Sequence, residues 1–260
     1  MSASSKIPYV LELHNVSKRF EGVSGGEKEA LRGVSLGVSP GECVGLVGES
    51  GSGKSTLANI TLRLTAPTSG SVFFEDEDIT RLKGRHLRGV YQSMQAVFQN
   101  PADSFNPRRR LGPSMAEGLI NAGIGKAQAR AQVAQLMERC GLDPSIAQRY
   151  PGQVSGGQLQ RAALVRALSV GPELLVCDEA TSALDATTQK QVAQLIRSLA
   201  EERNMAVLFI CHDIALVAQL CSRVAVLRDG IVEEEGNVDQ VIRHPKSSYT
   251  KLLTGSVMGV

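Results

Sequence analysis

The chain has 260 residues, of which 42% are hydrophobic and 21% charged, and its formal net charge is +2. This composition is typical of a globular protein with an apolar core and excludes a disordered or fibrous chain. The small net charge gives no electrostatic reason to expect nucleic-acid binding. A length of 260 residues is large for an average domain but fits one domain with two lobes, which is what we expect. No apolar run approaches the roughly 18 to 20 residues of a transmembrane helix, so we expect that the chain does not itself cross a membrane.

The first predicted elements are β-strands. Alternating apolar residues predict strands over Val10–Val16 and Ala30–Val38, and the Gly-rich stretch Glu21–Glu27 between them predicts an exposed hairpin connection. The run Glu42–Val47 is almost wholly apolar, which is typical of a strand buried on both faces. Ser71–Phe74 predicts a further strand.

A glycine-rich string follows the third of these runs directly. It reads Gly48-Glu49-Ser50-Gly51-Ser52-Gly53-Lys54-Ser55 and matches G-x-x-x-x-G-K-[ST] at every required position. A strand before the string and a helix after it, predicted over Ser55–Leu64, are the context of a phosphate-binding loop. Glycines let backbone N–H groups point at a phosphate, and the positive helix N-terminus faces the same anion. Lys54 is predicted to bridge the β- and γ-phosphates and Ser55 to ligate Mg²⁺.

The character of the sequence changes at about Gln99, where prolines interrupt an irregular stretch. Apolar residues at helical spacing then predict a helix over Ala127–Cys140 that uses this stripe for packing. The string Val154-Ser155-Gly156-Gly157-Gln158 opens another helix, predicted over Gln158–Ser169. A serine and two glycines at a helix start form a second place where an anion can bind.

Two later strands end in side chains that can do chemistry. The apolar run Leu174–Glu179 ends in two adjacent acids, so a buried parallel strand would deliver one carboxylate to Mg²⁺ and the other to an attacking water. Asp178 is therefore the metal candidate and Glu179 the general base. The run Ala206–Cys211 is followed by His212, at the edge of the sheet where α/β proteins bind ligands.

The remaining predicted elements complete an α/β pattern. A helix is predicted over Ile214–Cys221. Strands over Val224–Leu227 and Ile231–Glu235 follow, joined by a hairpin turn at Asp229-Gly230.

These motifs, in this order, resemble the nucleotide-binding domains of ABC transporters. Val154–Gln158 is similar to their LSGGQ signature, with valine in place of the leading leucine, and Gln99 is similar to the Q-loop glutamine. Ser182–Asp185 is similar to the D-loop and His212 to the switch histidine. Phe20 lies where the family stacks an aromatic ring, usually tyrosine, on adenine.

The resemblance implies an α/β fold of the P-loop NTPase class. Its parts are a RecA-like core with a parallel sheet, an N-terminal antiparallel β subdomain and an inserted helical subdomain. It implies one ABC ATPase domain over residues 9–253, with a core lobe at 9–98 and 169–236 and a helical lobe at 99–168. Residues 237–260 form a C-terminal extension.

The resemblance also implies an ATPase coupled to transport, with ATP and Mg²⁺ as cofactors. Two such domains sandwich two ATP molecules head to tail on the cytoplasmic side of the cell membrane. The implied partners are transmembrane permease subunits, a second ATP-binding subunit that is identical or, more in keeping with the family, different, and indirectly a substrate-binding protein. Nucleic acid is not an expected partner. Ser155, Gly156 and Gly157 would act in trans, on the nucleotide of the opposite subunit, because we do not expect them to reach the phosphate loop of their own chain.

The resemblance implies a role for each site residue. Catalysis would use Glu179, His212, Gln99 and Lys54. Mg²⁺ would be held, directly or through water, by Ser55, Gln99 and Asp178. The implied nucleotide-binding residues are Phe20, Gly48, Glu49, Ser50, Gly51, Ser52, Gly53, Lys54, Ser55, Thr56, Ser155, Gly156, Gly157, Gln158 and Asp185.

Two stretches, Val97–Arg108 and Pro245–Leu253, resemble the peptide and nickel (Opp/Dpp/Nik) import family. The usual tail of that family is Pro-x-His-Pro-Tyr-Thr-x-x-Leu-Leu, and here Ser247-Ser248 replaces His-Pro. Oligopeptides, dipeptides and nickel or other metal chelates all stay open as cargo. The cluster Arg108-Arg109-Arg110 fits either a solvated turn or a docking point.

Two other functions stay open at this point. One is a non-transport ABC ATPase, such as a DNA-repair or translation factor, although such proteins normally carry an additional module. The other is a regulatory ABC subunit that does not hydrolyse ATP. The presence of both Glu179 and His212 argues against the second, because degenerate sites usually lose one of these residues.

Overall fold

The computed structural model describes residues 9–21, 27–181 and 185–258. Its strands are β1 Leu11–Glu21, β2 Glu27–Val38, β3 Cys43–Val47, β4 Ser69–Phe74, β5 Glu77–Asp78, β6 Met94–Val97, β7 Leu174–Asp178, β8 Ala206–Ile210, β9 Arg223–Arg228 and β10 Ile231–Asn237. Its α-helices are α1 Lys54–Thr61, α2 Gly84–Ser93, α3 Leu111–Met115, α4 Glu117–Asn121, α5 Lys126–Arg139, α6 Gly156–Ser169, α7 Ala186–Arg203, α8 Ile214–Leu220, α9 Val238–Arg243 and α10 Ser248–Met258. Short 3₁₀ turns cover Pro101–Ser104, Pro144–Gln148 and Pro151–Gln153.

Each strand and helix predicted from the sequence is present, with ends that differ by a few residues. The predicted hairpin connection between β1 and β2 includes residues 22–26, which lie outside the described residues. The helices α2, α3, α4, α7, α9 and α10 and the strands β5 and β6 were not predicted. In α2 only Val90 is buried, and Lys83 gives the helix no side-chain cap. Leu87, Val90 and Tyr91 do fall at helical spacing, but no capping residue marks the start of the helix.

The larger sheet has six strands in the order β10-β9-β3-β8-β7-β6. All neighbours are parallel except β9 and β10, which form the antiparallel hairpin predicted around Asp229-Gly230. Helices cross over between the parallel strands, so the carboxyl ends of these strands meet at one edge. That edge is where an α/β sheet binds its ligand.

Two hydrophobic clusters cover the two faces of this sheet. Successive side chains of a strand point to opposite faces, so Leu208 and Phe209 in β8 belong to different clusters. Leu208 packs in the cluster that also holds Leu57 of α1 and Leu11 of β1. Phe209 packs in the other cluster, with residues of α5 to α8. Burial on both faces explains the continuous apolar runs in β3, β7 and β8.

The smaller sheet is antiparallel, with strand order β2-β1-β4-β5. Its buried residues alternate along β1 at Leu11 and Leu13 and pack with Val44 and Leu46 of β3. An antiparallel sheet that is covered on one side produces this alternation. The sheet brings the end of β1 close to the phosphate loop.

Helices α3 to α6 lie between β6 and β7 in the chain. The apolar stripe predicted in α5 is buried at Ala129, Val133, Leu136 and Met137, as expected for a packing surface. No helix among the described residues combines the length and apolar character needed to cross a bilayer. The α/β fold with a parallel core sheet, an antiparallel β subdomain and inserted helices is therefore confirmed.

Candidate active site

The phosphate loop joins the end of β3 to the start of α1 and is packed tightly against its neighbours. Gly48 and Gly53 have φ angles of 153° and 112°. A Cβ atom on Gly48 would lie 2.1 Å from the carbonyl oxygen of Leu227, and one on Gly53 would lie 2.6 Å from that of Ala30. Only glycine satisfies both the backbone conformation and the lack of space.

Lys54 points back into the loop that precedes it. Its Nζ donates hydrogen bonds to the carbonyl oxygens of Gly48 and Glu49, both at 2.8 Å, and the residue is 7% exposed. Burial lowers the pKa of Lys54, while the negative charges of Glu179 and Asp178 oppose that shift. The ammonium therefore lies in a pocket where a phosphate would supply the counter-charge that water no longer provides.

Ser55 and Asp178 form a pair of oxygen ligands beside the loop. Ser55 Oγ donates to Asp178 Oδ1 at 3.4 Å. Burial raises the pKa of Asp178; the hydrogen bond from Ser55 and the charge of Lys54 act against the shift, and Glu179 adds to it. A partly buried carboxylate beside an exposed hydroxyl fits Mg²⁺, which prefers oxygen ligands and takes its remaining ones from water and phosphate. Among the described residues there is no group of three or more His, Cys, Asp or Glu side chains that could hold a metal by itself.

Glu179 follows Asp178 at the end of β7 in a left-handed backbone conformation, with φ of 49°. Its N–H donates to the carbonyl oxygen of Ile210 at 2.9 Å. Its Oε1 lies 3.8 Å from His212 Nδ1, and the His212 side chain is largely exposed. A non-glycine residue in this conformation costs roughly 1–2 kcal/mol, and such strain is concentrated at functional sites.

Lys54, Ser55 and Glu179 border a cleft of about 420 Å³, within the range of small-molecule binding sites. Phe20, at the end of β1, is 42% exposed. The ammonium of Lys18 lies 5.0 Å from the centre of the Phe20 ring. The residues that line the cleft are Phe20, Lys28, Ala30, Ser50, Gly51, Gly53, Lys54, Ser55, Thr56, Gln99 and Glu179.

Other predicted site residues lie around this cleft. Gly48 and Glu49 accept from Lys54 through their carbonyl oxygens, and Ser52 lies behind the loop, where its carbonyl oxygen accepts from the N–H of Gly230 at 2.9 Å. Asp178 and His212 do not line the cleft themselves, but each contacts a residue that does. Asp178 accepts a hydrogen bond from Ser55, and His212 lies beside Glu179. The loop, the two acids, Gln99 and Phe20 are thus brought to one edge of the sheet.

The signature residues are not part of the cleft: none of the described lining residues comes from 154–158. Ser155 caps α6, since its Oγ accepts from the Gln158 N–H at 3.2 Å while Gln158 Oε1 accepts from the Ser155 N–H at 2.9 Å. Ser155 and Gly156 are exposed, and a Cβ atom on Gly156 would meet open space. The Ser155 hydroxyl still has its hydrogen to donate, because in the cap it acts as an acceptor.

Only part of the predicted D-loop can be placed. Ser182–Leu184 lie outside the described residues. Asp185 caps α7, with its carboxylate accepting from Thr188 Oγ1 at 2.7 Å and from the Thr188 N–H at 3.0 Å. These hydrogen bonds lower the pKa of Asp185. Its carboxylate is thus engaged in capping and does not line the cleft.

Lys28 and Ala30 line the cleft and were not predicted as site residues. Both belong to β2, and Lys28 is paired with Phe20 in the antiparallel register of β1 and β2. The signal was available in principle, since an aromatic residue at one end of a hairpin has a neighbour directly across it. It required the register, which the Gly-rich connection does not reveal.

Comparisons with known proteins agree with this geometry. The sequence model of the family described as ABC transporter matches residues 31–182. The chain is 40% identical over 252 residues to the dipeptide transport ATP-binding protein DppF of Lactococcus lactis, covering 95% of this chain and 81% of that protein. It is also 40% identical over 232 residues to the oligopeptide transport ATP-binding protein OppD of Mycobacterium tuberculosis, covering 89% of this chain and 38% of that protein.

A solved structure is similar over most of the chain. It is the ATP-binding cassette MJ0796, a dimer in a post-hydrolysis state bound to ADP and Pi. The two folds agree with a TM-score of 0.82 at 31% sequence identity, covering 88% of this chain and 98% of that chain.

The packing of the loop predicts unequal effects of two alanine substitutions. Gly51→Ala meets nothing within 4 Å, so we expect it to cost only the roughly 1–2 kcal/mol of a left-handed non-glycine residue. Gly53→Ala adds a clash with the carbonyl oxygen of Ala30, which is expected to cost about 1–3 kcal/mol more. Chemical unfolding of both variants measures the difference, and equal free energies of unfolding would contradict this account of the loop.

Proposed function

Because the chain belongs to the ABC transporter family, we propose that it is the ATP-hydrolysing subunit of an importer whose cargo is peptides. The observation that carries this proposal is the convergence of Lys54, Ser55, Gln99 and Glu179 on one cleft beside the phosphate loop. A phosphate-binding cation, oxygen ligands for a metal and a carboxylate base are the parts that phosphoryl transfer to water needs.

Different parts of the cleft are proposed to bind different parts of ATP. The exposed ring of Phe20 is proposed to stack on adenine with one face. The ammonium of Lys18, which lies near the ring, would then face the other side of it. The N–H groups of Gly51–Thr56 and the ammonium of Lys54 would bind the phosphates. Ser55 and Asp178, with Gln99 acting directly or through water, would hold Mg²⁺, which neutralises charge on the transferred phosphate when it is bound.

Hydrolysis requires a water molecule in line with the bond that breaks. We assign the removal of its proton to Glu179, whose carboxylate faces the cleft. His212 lies beside the same carboxylate and is proposed to contact the γ-phosphate. Lys54 is in place to balance charge as the bond to the leaving phosphate breaks.

The signature is proposed to act on the nucleotide of a second ATP-binding subunit. Ser155 and Gly156 are exposed and are not in this chain's cleft. The Ser155 hydroxyl and the backbone N–H of Gly156, in the first turn of α6, would donate to an anion. The dimeric arrangement of the cassette MJ0796 supports this proposal. The second subunit is either identical to this chain or a different one of the same family, and hydrolysis would remove the charge that bridges the two halves.

A permease is the proposed membrane partner, at the cytoplasmic side of the cell membrane. An open groove of about 380 Å³ lies beside Gln99, between the core strands and the inserted helices. Leu62, Leu64 and Phe98 line one part of it, and Leu64 is 58% exposed. Arg166 and Asp103 add one charge of each sign. Such a groove fits an amphipathic segment of a permease.

The lobes implied by the sequence fit this arrangement. We propose one ATPase domain over residues 9–253, with the core lobe at 9–98 and 169–236 and the helical lobe at 99–168. Residues 237–260 then form the C-terminal extension. The groove lies where the two lobes meet, so that a movement of one lobe would reach the permease.

The cargo is proposed from the relatives. DppF and OppD are peptide transport proteins by name, which favours peptides over nickel or other metal chelates. The proposal includes, as an indirect partner, a substrate-binding protein that delivers the peptide to the permease.

The first test concerns the base. Glu179→Gln keeps the shape of the side chain but cannot accept the proton, so ATP should still bind while turnover falls by about 10² or more. Binding and hydrolysis are measured on the same preparation, with Lys54→Ala as the variant that should lose binding itself. Hydrolysis at the unmodified rate would show that Glu179 is not the base.

The arginine cluster allows a second test. Arg109 is paired with Glu117 at 2.7 Å and Arg110 donates to Gln148 Oε1 at 2.9 Å. In the described part of the chain the Arg108 guanidinium has no hydrogen bond or ion pair, so it is the member of the cluster that is free to meet a partner.

Arg108→Ala is therefore expected to weaken copurification with the permease by about tenfold, equivalent to about 1.4 kcal/mol. Arg109→Ala, the matched control, should have a smaller effect, and neither change should alter ATP binding by the free subunit. Equal copurification of the Arg108→Ala protein and the unmodified protein would return this arginine to the role of a solvated surface residue.

A further inference from the structure

The C-terminal helix α10 is fixed to the core at its first turn. The carboxylate of Glu234 in β10 accepts from the N–H groups of Lys246 and Ser247 at 2.9 and 3.0 Å. Ser247 Oγ accepts from the N–H of Tyr249 at 3.2 Å and so caps the helix. Thr250, in the same turn, is fully buried. The start of α10 therefore has a defined position relative to the large sheet.

Tyr249 connects this helix to the phosphate loop. Its side chain is enclosed, the residue being 5% exposed, and its hydroxyl oxygen accepts a hydrogen bond from the backbone N–H of Glu49 at 3.0 Å. The Arg228 guanidinium lies 4.8 Å from the centre of its ring. The contact joins residues 200 positions apart in the chain. It also places the tyrosine of the importer-like tail at a functional element.

The peptide groups of Glu49 link that contact to the catalytic cation. The N–H of Glu49 donates to Tyr249, while its carbonyl oxygen accepts from Lys54 Nζ at 2.8 Å and from the Ser52 N–H at 3.2 Å. Its N–H is thus directed at the tyrosine hydroxyl. Any rotation of the backbone at Glu49 would move the carbonyl oxygen that holds the Lys54 ammonium.

We propose that Tyr249 is a positioning residue for the phosphate loop and that it sets the affinity for the β- and γ-phosphates of a nucleoside triphosphate. The hydroxyl fixes the backbone at Glu49, and this keeps Lys54 and the following N–H groups aligned before the nucleotide arrives. Ordering the loop in advance saves the entropy that binding would otherwise lose. The proposal rests on the ATP-binding function given above and assigns part of it to the C-terminal extension.

A purely structural role for the tyrosine makes a different prediction. Loss of packing would lower the stability of the protein and leave the affinity of the folded fraction unchanged. Tyr249→Phe keeps the ring and removes only the acceptor. The matched control is Tyr91→Phe, since the hydroxyl of Tyr91 donates to the carbonyl oxygen of Leu62 at 3.1 Å, away from the phosphate loop.

The experiment uses the full 260-residue chain. Titration calorimetry with ATP and Mg²⁺ gives the Kd of the unmodified, Tyr249→Phe and Tyr91→Phe proteins, and thermal unfolding gives their stability. Hydrogen exchange is followed in the absence of nucleotide for a peptide that covers 48–53. The loss of one hydrogen bond predicts a Kd about five- to tenfold weaker for Tyr249→Phe and faster exchange in the loop. The Tyr91→Phe protein should match the unmodified chain in both measurements.

An unchanged Kd together with unchanged exchange in the Tyr249→Phe protein would overturn the proposal. A fall in melting temperature with no change in Kd or loop exchange would also overturn it, in favour of packing alone. If the unmodified chain does not bind ATP, the proposed function fails separately, and exchange in the nucleotide-free loop still decides whether Tyr249 positions it.

Discussion

The register of the parallel sheet decides where the charged groups of the candidate site lie. Leu46 of β3 and Asp178 of β7 are both paired with Ile210 of β8, so these three strands end at the same level. The phosphate loop follows the end of β3, and His212 lies just beyond the end of β8. Asp178 is the last residue of β7 and Glu179 follows it. A shift by one residue in any pairing would turn the adjoining side chains to the opposite face and separate the groups. The apolar packing of these strands on both faces therefore supports the site as well as the fold.

That packing also brings opposite charges into a poorly solvated space. Lys54 is held by two backbone carbonyl oxygens, and burial shifts the pKa of Lys54 down and that of Asp178 up. Each group thus lies in surroundings that disfavour its own charge, which a phosphate and a metal ion would relieve. The cleft is preorganised for a ligand that carries both signs of charge, as ATP with Mg²⁺ does.

The sequence predicted the parts of the fold that local patterns specify. The continuous apolar runs of β3, β7 and β8 and the glycine string before Lys54 could be interpreted without a structure, because each has its own period or spacing. Lys28 could not be predicted, since its position beside Phe20 depends on the register of a hairpin. Tyr249 was visible as part of an importer-like tail, but its contact with Glu49 spans most of the chain and follows only from the packing of α10. The role proposed for the exposed signature at Ser155 is a further case, because the nucleotide that it would contact belongs to a second subunit.

The most direct test of this account is a structure of the assembled transporter, purified with its own partners and trapped with ATP and Mg²⁺ by Glu179→Gln. The decisive distance is that from Ser155 Oγ of this chain to the nearest γ-phosphate oxygen. We predict about 3 Å to the ATP held by the phosphate loop of the opposite ATP-binding subunit, with this chain's own ATP capped by that subunit's signature. A Ser155 that stays in solvent, or that contacts the ATP bound to its own chain, would contradict the account.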